Sequence, residues 1–123
     1  MEYLVIGLGG FLGANTRYLV AGWAAQRFGA IFPYGTFIIN ISGSFILGFF
    51  LAFLRDRAFI HPHYRLFFAT GFLGAYTTFS TFSYESLQLL QDGSILLGFT
   101  NVLGSVIAGL IGVFVGFVLG GLF

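Results

Sequence analysis

The chain has 123 residues, of which 58% are apolar and only 7% are charged, with a net charge of +1. A soluble domain carries about 25% charged residues because its surface faces water, so this composition excludes an ordinary soluble protein. A net charge so close to zero argues against a nucleic acid as a partner. The absence of cysteine excludes disulfides, thiolate metal sites and cysteine nucleophiles.

Four apolar stretches are long enough to cross a bilayer, which takes about 20 mostly apolar residues. They cover residues 3–25, 34–54, 65–90 and 94–122. The first stretch lacks the basic start of a signal peptide and exceeds the usual signal length, so we expect a retained helix. The sequence therefore predicts an all-α membrane protein with a single domain of four transmembrane helices, residues 1–123.

Positive charge is unequal on the two sides of the membrane that four spans define. One side carries Arg55, Arg57 and Arg65, and the other carries Arg27 and also Arg17, if a residue inside the span is counted. Arginines near helix ends set orientation, with the richer side in the cytoplasm. The difference is small, so two outcomes stay open. The chain has one fixed orientation, or it inserts both ways, which permits an antiparallel homodimer.

Small and polar residues recur every four positions on two spans and therefore share a helix face. These rows are Thr36, Asn40, Ser44 and Gly48 on the second span, and Asn101, Ser105 and Gly109 on the fourth. Polar groups at membrane depth either bond a neighbouring helix or line a pathway, and both interpretations are open. A second row on the fourth span is typical of close helix packing: Gly104, Ala108, Gly112, Gly116 and Gly120.

The third span contains a run, residues 70–85, in which glycines and paired threonines interrupt the apolar pattern. Gly71 and Gly74 weaken a helix and β-branched threonines follow at once, so we expect the helix to break here. Carbonyl groups freed at this depth are tolerated only inside protein or beside a wet cavity. Such carbonyls can bind a hard cation such as Na⁺.

Two phenylalanines follow the expected break and alternate with hydroxyl side chains. Phe79 and Phe82 are three positions apart, and the hydroxyls belong to Ser80, Thr81 and Ser83. Aromatic rings have an electropositive edge, so ring edges and hydroxyl protons can together replace the water around a small anion. The alternative is a kinked helix that merely packs two phenylalanines, and the pattern leaves both open.

Three segments fit one family in order: GFLGANTRY at residues 10–18, GTFIIN at 35–40 and GFLGAYTTFSTF at 71–82. Asn101 and Ser105 extend the match loosely into the fourth span. Together these segments resemble the Fluc/CrcB family of fluoride channels over essentially the whole chain. The pair Ala75-Tyr76 departs from the small apolar pair expected at that place.

The resemblance implies an antiparallel, dual-topology homodimer that lets fluoride leave the cell passively and so reduces its toxicity. It implies a structural Na⁺, not transported, held at the dimer centre by the main-chain carbonyls of Gly74 and Thr77. The fluoride path it implies is lined by Phe79, Phe82, Asn40, Ser80, Thr81 and Ser105. The implied location is the plasma (inner) membrane of a prokaryotic cell, with the bilayer and the fluoride ion as partners.

Two charged residues have open roles. Arg17 lies within the first apolar span, where it either attracts anions to a vestibule or holds a carboxylate or a helix C-terminus. Glu85 lies at the far end of the third span and is either interfacial or part of a pore mouth.

Other functions compete with a channel. An exporter like the small multidrug resistance proteins needs a carboxylate in the middle of the first span. The acidic residues here are all in loops or at span ends: Glu2, Asp56, Glu85 and Asp92. A non-conducting assembly subunit would explain the glycine row but not the phenylalanine and hydroxyl track. No nucleophile, base and orienting group can be assembled, so we expect no enzyme and no catalytic residue.

Overall fold

The computed structural model describes residues 1–123, and every regular element in it is helical. Two long helices come first, α1 (Glu2–Phe28) and α2 (Tyr34–Leu54). Four short pieces follow: α3 (Pro62–Arg65), a π-helical segment (Leu66–Leu73), α4 (Gly74–Tyr76) and α5 (Phe79–Gln91). A third long helix, α6 (Ile95–Gly121), ends the chain. Helices α1, α2 and α6 are each long and apolar enough to cross a membrane.

The prediction of an all-helical membrane protein is confirmed, and the predicted second span coincides with α2. Helix α1 continues a few residues beyond the predicted end of the first span. The third predicted span, residues 65–90, corresponds to several short helical pieces in series. Helical geometry there begins earlier than predicted, at Pro62, because proline is well suited to the first position of a helix.

The outside of the chain is apolar. Only 18 of the 123 residues are buried, and many of the largest apolar side chains are exposed, among them Phe11, Leu19, Leu110 and Phe114. Water would penalise an apolar surface of this extent, whereas the hydrocarbon of a bilayer does not. The exposure pattern is therefore that of a protein whose solvent is lipid.

Glycines allow the backbones of α2 and α6 to touch. A methyl group added at Gly116 or Gly120 would collide with the carbonyl oxygens of Phe45 and Phe49 on α2, and Gly112 lies close to the carbonyl of Ile41. The predicted packing role is confirmed for these three glycines. Gly104 makes no such contact within the single chain, because no atom of another helix lies within 4 Å of a methyl group built there.

A similar contact joins α1 to the third span. Gly9 and Gly13 of α1 lie against the carbonyl oxygens of Phe67 and Phe72, and Gly71 lies against the backbone of Ile6. Short distances between backbones replace the hydrophobic driving force that is missing between helices in lipid. The π-helical segment is thus held along its length by α1.

The break in the third span lies at two threonines. Thr77 has φ −80° and ψ 157°, and Thr78 has φ −151° and ψ 119°, which is extended backbone. Gly74 keeps helical angles, φ −62° and ψ −35°, and Gly71 lies within the π-helical segment. The predicted break in the third span is confirmed at the paired threonines, but the part in it assigned to the glycines is wrong, because both lie in helical segments. Gly71 serves close packing instead, and Gly74 is exposed beside the break.

We expect Gly116→Ala to destabilise the protein by about 1–3 kcal/mol, because the new methyl group overpacks against the carbonyl of Phe45. Gly104→Ala is the matched control on the same helix, since it gains the same helix propensity without a collision. The measurement is the fraction of monodisperse protein left after heating in detergent. Equal heat resistance of the two variants would contradict the packing role of Gly116.

Candidate functional site

Asn40 of α2 binds the main chain at the break with both ends of its side-chain amide. Its Oδ1 accepts a hydrogen bond from the Thr78 amide at 2.9 Å, and its Nδ2 donates to the Thr78 carbonyl at 3.0 Å. A buried main-chain group without a partner is costly, above all in lipid. The Asn40 side chain, part of the predicted polar row, thus provides a hydrogen-bond partner for both the amide and the carbonyl of Thr78, which lies outside the helices.

The two threonines themselves end one helix and start the next. The Thr77 hydroxyl donates to the Leu73 carbonyl at 2.9 Å, one turn back. The Thr78 hydroxyl oxygen accepts from the Thr81 amide at 3.3 Å and so caps α5. Threonine side chains compete with helical hydrogen bonds in this way, and at a helix start the competition becomes a cap.

These bonds leave two carbonyl groups without their usual donors. In a continuous helix the Thr78 amide would bond the Gly74 carbonyl, and the Thr81 amide would bond the Thr77 carbonyl. Here those amides bond Asn40 and the Thr78 hydroxyl instead. Gly74 and Thr77 also line one cavity of about 300 Å³, which we call the break cavity. Its lining residues are Asn40, Gly43, Ser44, Leu47, Ala69, Leu73, Gly74, Thr77, Thr78 and Phe79.

Arg17 reaches from α1 to the end of α4. Its Nε donates to the Ala75 carbonyl at 3.1 Å, in a partly buried position. Because a helix C-terminus carries partial negative charge, a guanidinium there is favourable. Of the roles considered for Arg17, this contact is the one expected of a residue that holds a helix C-terminus. Arg17 does not line the break cavity.

Tyr76, where the sequence departs from the family pattern, ties α4 to α2. Its side chain is buried, and its hydroxyl lies 3.0 Å from Ser42 Oγ. Either hydroxyl can donate in this pair, and the tyrosine is the donor when Ser42 donates to the Ile39 carbonyl at 3.2 Å. The ring also stacks on Phe72 with 5.9 Å between centroids. The sequence did not indicate a role for Ser42. The only signal was the unusual tyrosine at position 76, whose hydroxyl needs a hydrogen-bond partner when buried.

Phe79 and Phe82 begin α5 side by side. Their ring centroids are 5.9 Å apart with an angle of 50° between the planes. Phe79 is 79% exposed and lines the break cavity, whereas Phe82 is half-buried. Ser80 is exposed beside them. Thr81 accepts a hydrogen bond from the Thr78 hydroxyl at 3.1 Å, which leaves the Thr81 hydroxyl proton available.

The polar row of α6 connects that helix to α5. Asn101 is 1% exposed, and its Nδ2 donates to Ser86 Oγ at 2.9 Å. Ser86 in turn donates to the Phe82 carbonyl at 2.8 Å. Ser105 lies a turn further along and is 3.4 Å from Asn101 Oδ1. Hydrogen bonding between helices therefore accounts for Asn101. Ser86 was missed, although its hydroxyl falls one turn after Phe82.

Glu85 lies away from the break cavity. It is half-buried, and its Oε1 has no hydrogen-bond partner. It lines a separate cavity of about 260 Å³ under the loop between α1 and α2, together with Gln88 and Asp92. The structure thus brings Asn40, Gly74, Thr77 and Phe79 together in one cavity and leaves Glu85 at another.

We expect Asn40→Ala to destabilise the protein, because it leaves the amide and carbonyl of Thr78 unsatisfied at a cost of about 1–3 kcal/mol each. Asn15→Ala is the control, since Asn15 is exposed and bonds only the Phe11 carbonyl of its own helix. Thermal unfolding in detergent compares the two variants. A similar loss for both would show that Asn40 does not hold the break together.

Comparison with known proteins identifies the family. The family model described as CrcB-like protein, Camphor Resistance (CrcB), matches residues 4–117. A protein of Clostridium perfringens named fluoride-specific ion channel FluC is 51% identical over 100 residues, covering 81% of this chain and 78% of the relative.

Two further relatives carry the same name and align over nearly their full lengths. The one from Chloroflexus aurantiacus is 49% identical over 117 residues, covering 95% of this chain and 93% of the relative. The one from Acidobacterium capsulatum is 45% identical over 120 residues, covering 98% and 96%. The extent of these matches shows that the chain belongs to the CrcB-like family.

Proposed function

We propose that this protein is a fluoride-selective channel, and not an enzyme, through which fluoride leaves a bacterial cell passively. Export of this kind would reduce fluoride toxicity in the cytoplasm. The observation that carries the proposal is the break at Thr77 and Thr78, which places an exposed aromatic ring and hydroxyl groups beside a cavity at membrane depth. The names of the relatives supply the identity of the ion.

The donors near the break suit a small anion. Fluoride holds its water strongly, so a path for it must offer hydrogen-bond donors in place of that water. Asn40 Nδ2 has a second hydrogen beyond the one given to Thr78. The hydroxyls of Ser80 and Thr81 and the ring edges of Phe79 and Phe82 extend the series of donors. Ser105 would continue it along α6 if its proton turned away from Asn101 Oδ1, to which it donates at 3.4 Å.

No cationic side chain lines the break cavity. Selectivity would therefore come from hydrogen-bond donation by neutral groups. Binding by neutral groups is weak enough for the ion to move on, as conduction requires. A proton-coupled exporter fits less well, because the only acidic residue of α1 is Glu2 in its first turn.

We propose further that two copies pair as an antiparallel homodimer. In the single chain, Phe79, Ser80 and Gly74 are exposed, although the break beside them cannot be left facing lipid. A second copy over this surface would bury the freed carbonyls and enclose the path. The small difference in arginine number between the two sides permits insertion in both orientations.

At the centre of such a dimer we propose a structural Na⁺, which is not transported. The carbonyls of Gly74 and Thr77 lack their helical donors and line the same cavity, so two copies would offer four neutral oxygens. Neutral carbonyls suit a monovalent cation better than Mg²⁺, which retains its water and prefers carboxylates. The ion would fix the separation of the two copies.

The test of fluoride conduction is ion flux from liposomes that contain the purified protein. We expect fluoride efflux and exclusion of chloride by a large factor. Phe79→Ile and Phe82→Ile should each lower fluoride flux about ten-fold or more, because they remove the ring edge but keep an apolar side chain. Phe114→Ile, at an exposed position of α6, should conduct normally. Comparable chloride flux, or equal losses in all three variants, would refute the proposal.

The Na⁺ site predicts a dependence of structure on that ion. Replacing Na⁺ by a large organic cation should weaken dimer association and make fluoride flux decay, and restoring Na⁺ should reverse both. Thr77→Ser keeps the carbonyl and should behave as the unmodified protein. Gly74→Val should disrupt the dimer because the added side chain fills part of the break cavity. The helical backbone angles of Gly74 accept any residue, so the effect would come from the volume of the side chain. A dimer that persists indefinitely without Na⁺ would contradict the site.

A further inference from the structure

A second group of polar residues lies at the other end of α2, in the loop that joins it to α3. Arg55, Arg57, Arg65 and His61 line a cavity of about 270 Å³ there, which we call the arginine cavity. Three of the five arginines of the chain are thus gathered at one place. The other lining residues are Leu54, Ala58, Ile60 and Pro62, so no carboxylate lines the cavity.

The contacts of Arg55 and Arg65 leave the charges of these two arginines uncompensated. Arg55 lies over the ring of Phe117, 5.0 Å from its centroid. Arg57 lies over the ring of Phe53 at 3.9 Å and donates to the carbonyl of Phe53 and to a main-chain oxygen of Phe123, the last residue, where a terminal carboxylate would compensate its charge. Rings and carbonyls orient a guanidinium but do not neutralise it. Arg65 is exposed and takes part in none of the side-chain hydrogen bonds or ring contacts of the structure.

The location limits what can occupy the arginine cavity. Helix α2 is apolar up to Leu54, so the cavity lies where a spanning helix leaves the hydrocarbon and meets the lipid headgroups. Guanidinium groups match phosphate oxygens in geometry and charge. Phosphate is therefore the chemistry that this cavity fits.

An apolar groove adjoins the arginine cavity. Its presence favours a lipid over a free phosphate as the ligand. The groove has a volume of about 320 Å³ and is lined only by Phe50, Phe53, Leu54, Ile60 and Tyr64. Leu54 and Ile60 line both the groove and the arginine cavity. A ligand with a phosphate in the cavity and a hydrocarbon chain in the groove would satisfy both surfaces at once.

We propose that the arginine cavity and this groove together bind an anionic phospholipid, with its headgroup phosphate among the arginines and part of an acyl chain on the aromatic groove. Basic clusters next to spanning helices attract anionic lipids, and each cation contributes about five-fold in affinity. The site is separate from the break cavity, with which it shares no lining residue. The proposal is thus independent of fluoride conduction.

The test uses the purified protein in detergent, with lipid retention measured by native mass spectrometry and stability by thermal unfolding. Phosphatidylglycerol should bind and stabilise more than phosphatidylcholine. Arg65→Gln should weaken phosphatidylglycerol binding about five-fold, and Arg65→Lys should retain most of it. Arg65→Gln should also fold normally, because this side chain makes no contact that folding requires. Arg27→Gln, outside the cavity, should bind as the unmodified protein does.

Two further measurements distinguish the binding of a lipid from the binding of free phosphate. Tyr64→Ser removes an exposed aromatic ring that lines the groove but not the arginine cavity, and it should weaken binding of the lipid without changing the effect of inorganic phosphate. Stabilisation by inorganic phosphate equal to that by phosphatidylglycerol would overturn the lipid proposal in favour of a phosphate site. Equal binding of phosphatidylcholine, or equal losses in Arg65→Gln and Arg27→Gln, would show that lipids bind nonspecifically. Either result would overturn the proposed site.

Discussion

The hydrogen bonds between the Asn40 amide and the main chain of Thr78 are the interaction on which the rest of the site depends. Extended backbone inside a membrane has no water to bond, and each unsatisfied group costs several kcal/mol. Asn40 removes that cost for Thr78, so the helix can end at Thr77 and restart at Phe79. The exposed ring of Phe79 and the freed carbonyls of Gly74 and Thr77 are consequences of this exchange of partners.

A chain interrupted at this depth must also be held on both sides of the break. Before the break, Arg17 binds the Ala75 carbonyl and Tyr76 binds Ser42, so α4 is attached to α1 and to α2. After it, Asn101 attaches α5 to α6 through Ser86. These bonds compensate for the continuous hydrogen-bonded ladder that the third span lacks. Close glycine contacts along α1 and α6 bring the helices near enough for short polar side chains to reach their partners.

The sequence predicted what depends on local composition and missed what depends on distant pairing. Helix α2 is mostly apolar and lies between Pro33 and Arg55, so its bounds were predictable. The break was predictable from glycines and paired threonines in one run, but local propensity could not tell which of them would leave the helix. Its position is decided by Asn40, which is 38 positions away in the chain. Ser42 and Ser86 escaped for the same reason, because an isolated serine gives no sign of which helix it will face.

The outer surface of the single chain has two regions that call for different binding partners. At mid-membrane the proposed second copy would cover the break, because lipid offers no hydrogen bonds there. At the end of α2 the arginine cavity needs an anion, which the headgroup layer supplies. An antiparallel pair would place its two arginine cavities in opposite leaflets, one on each face of the membrane. A bilayer with anionic lipid in a single leaflet could then fill only one of them, so the charge of both leaflets would bear on the stability of the dimer.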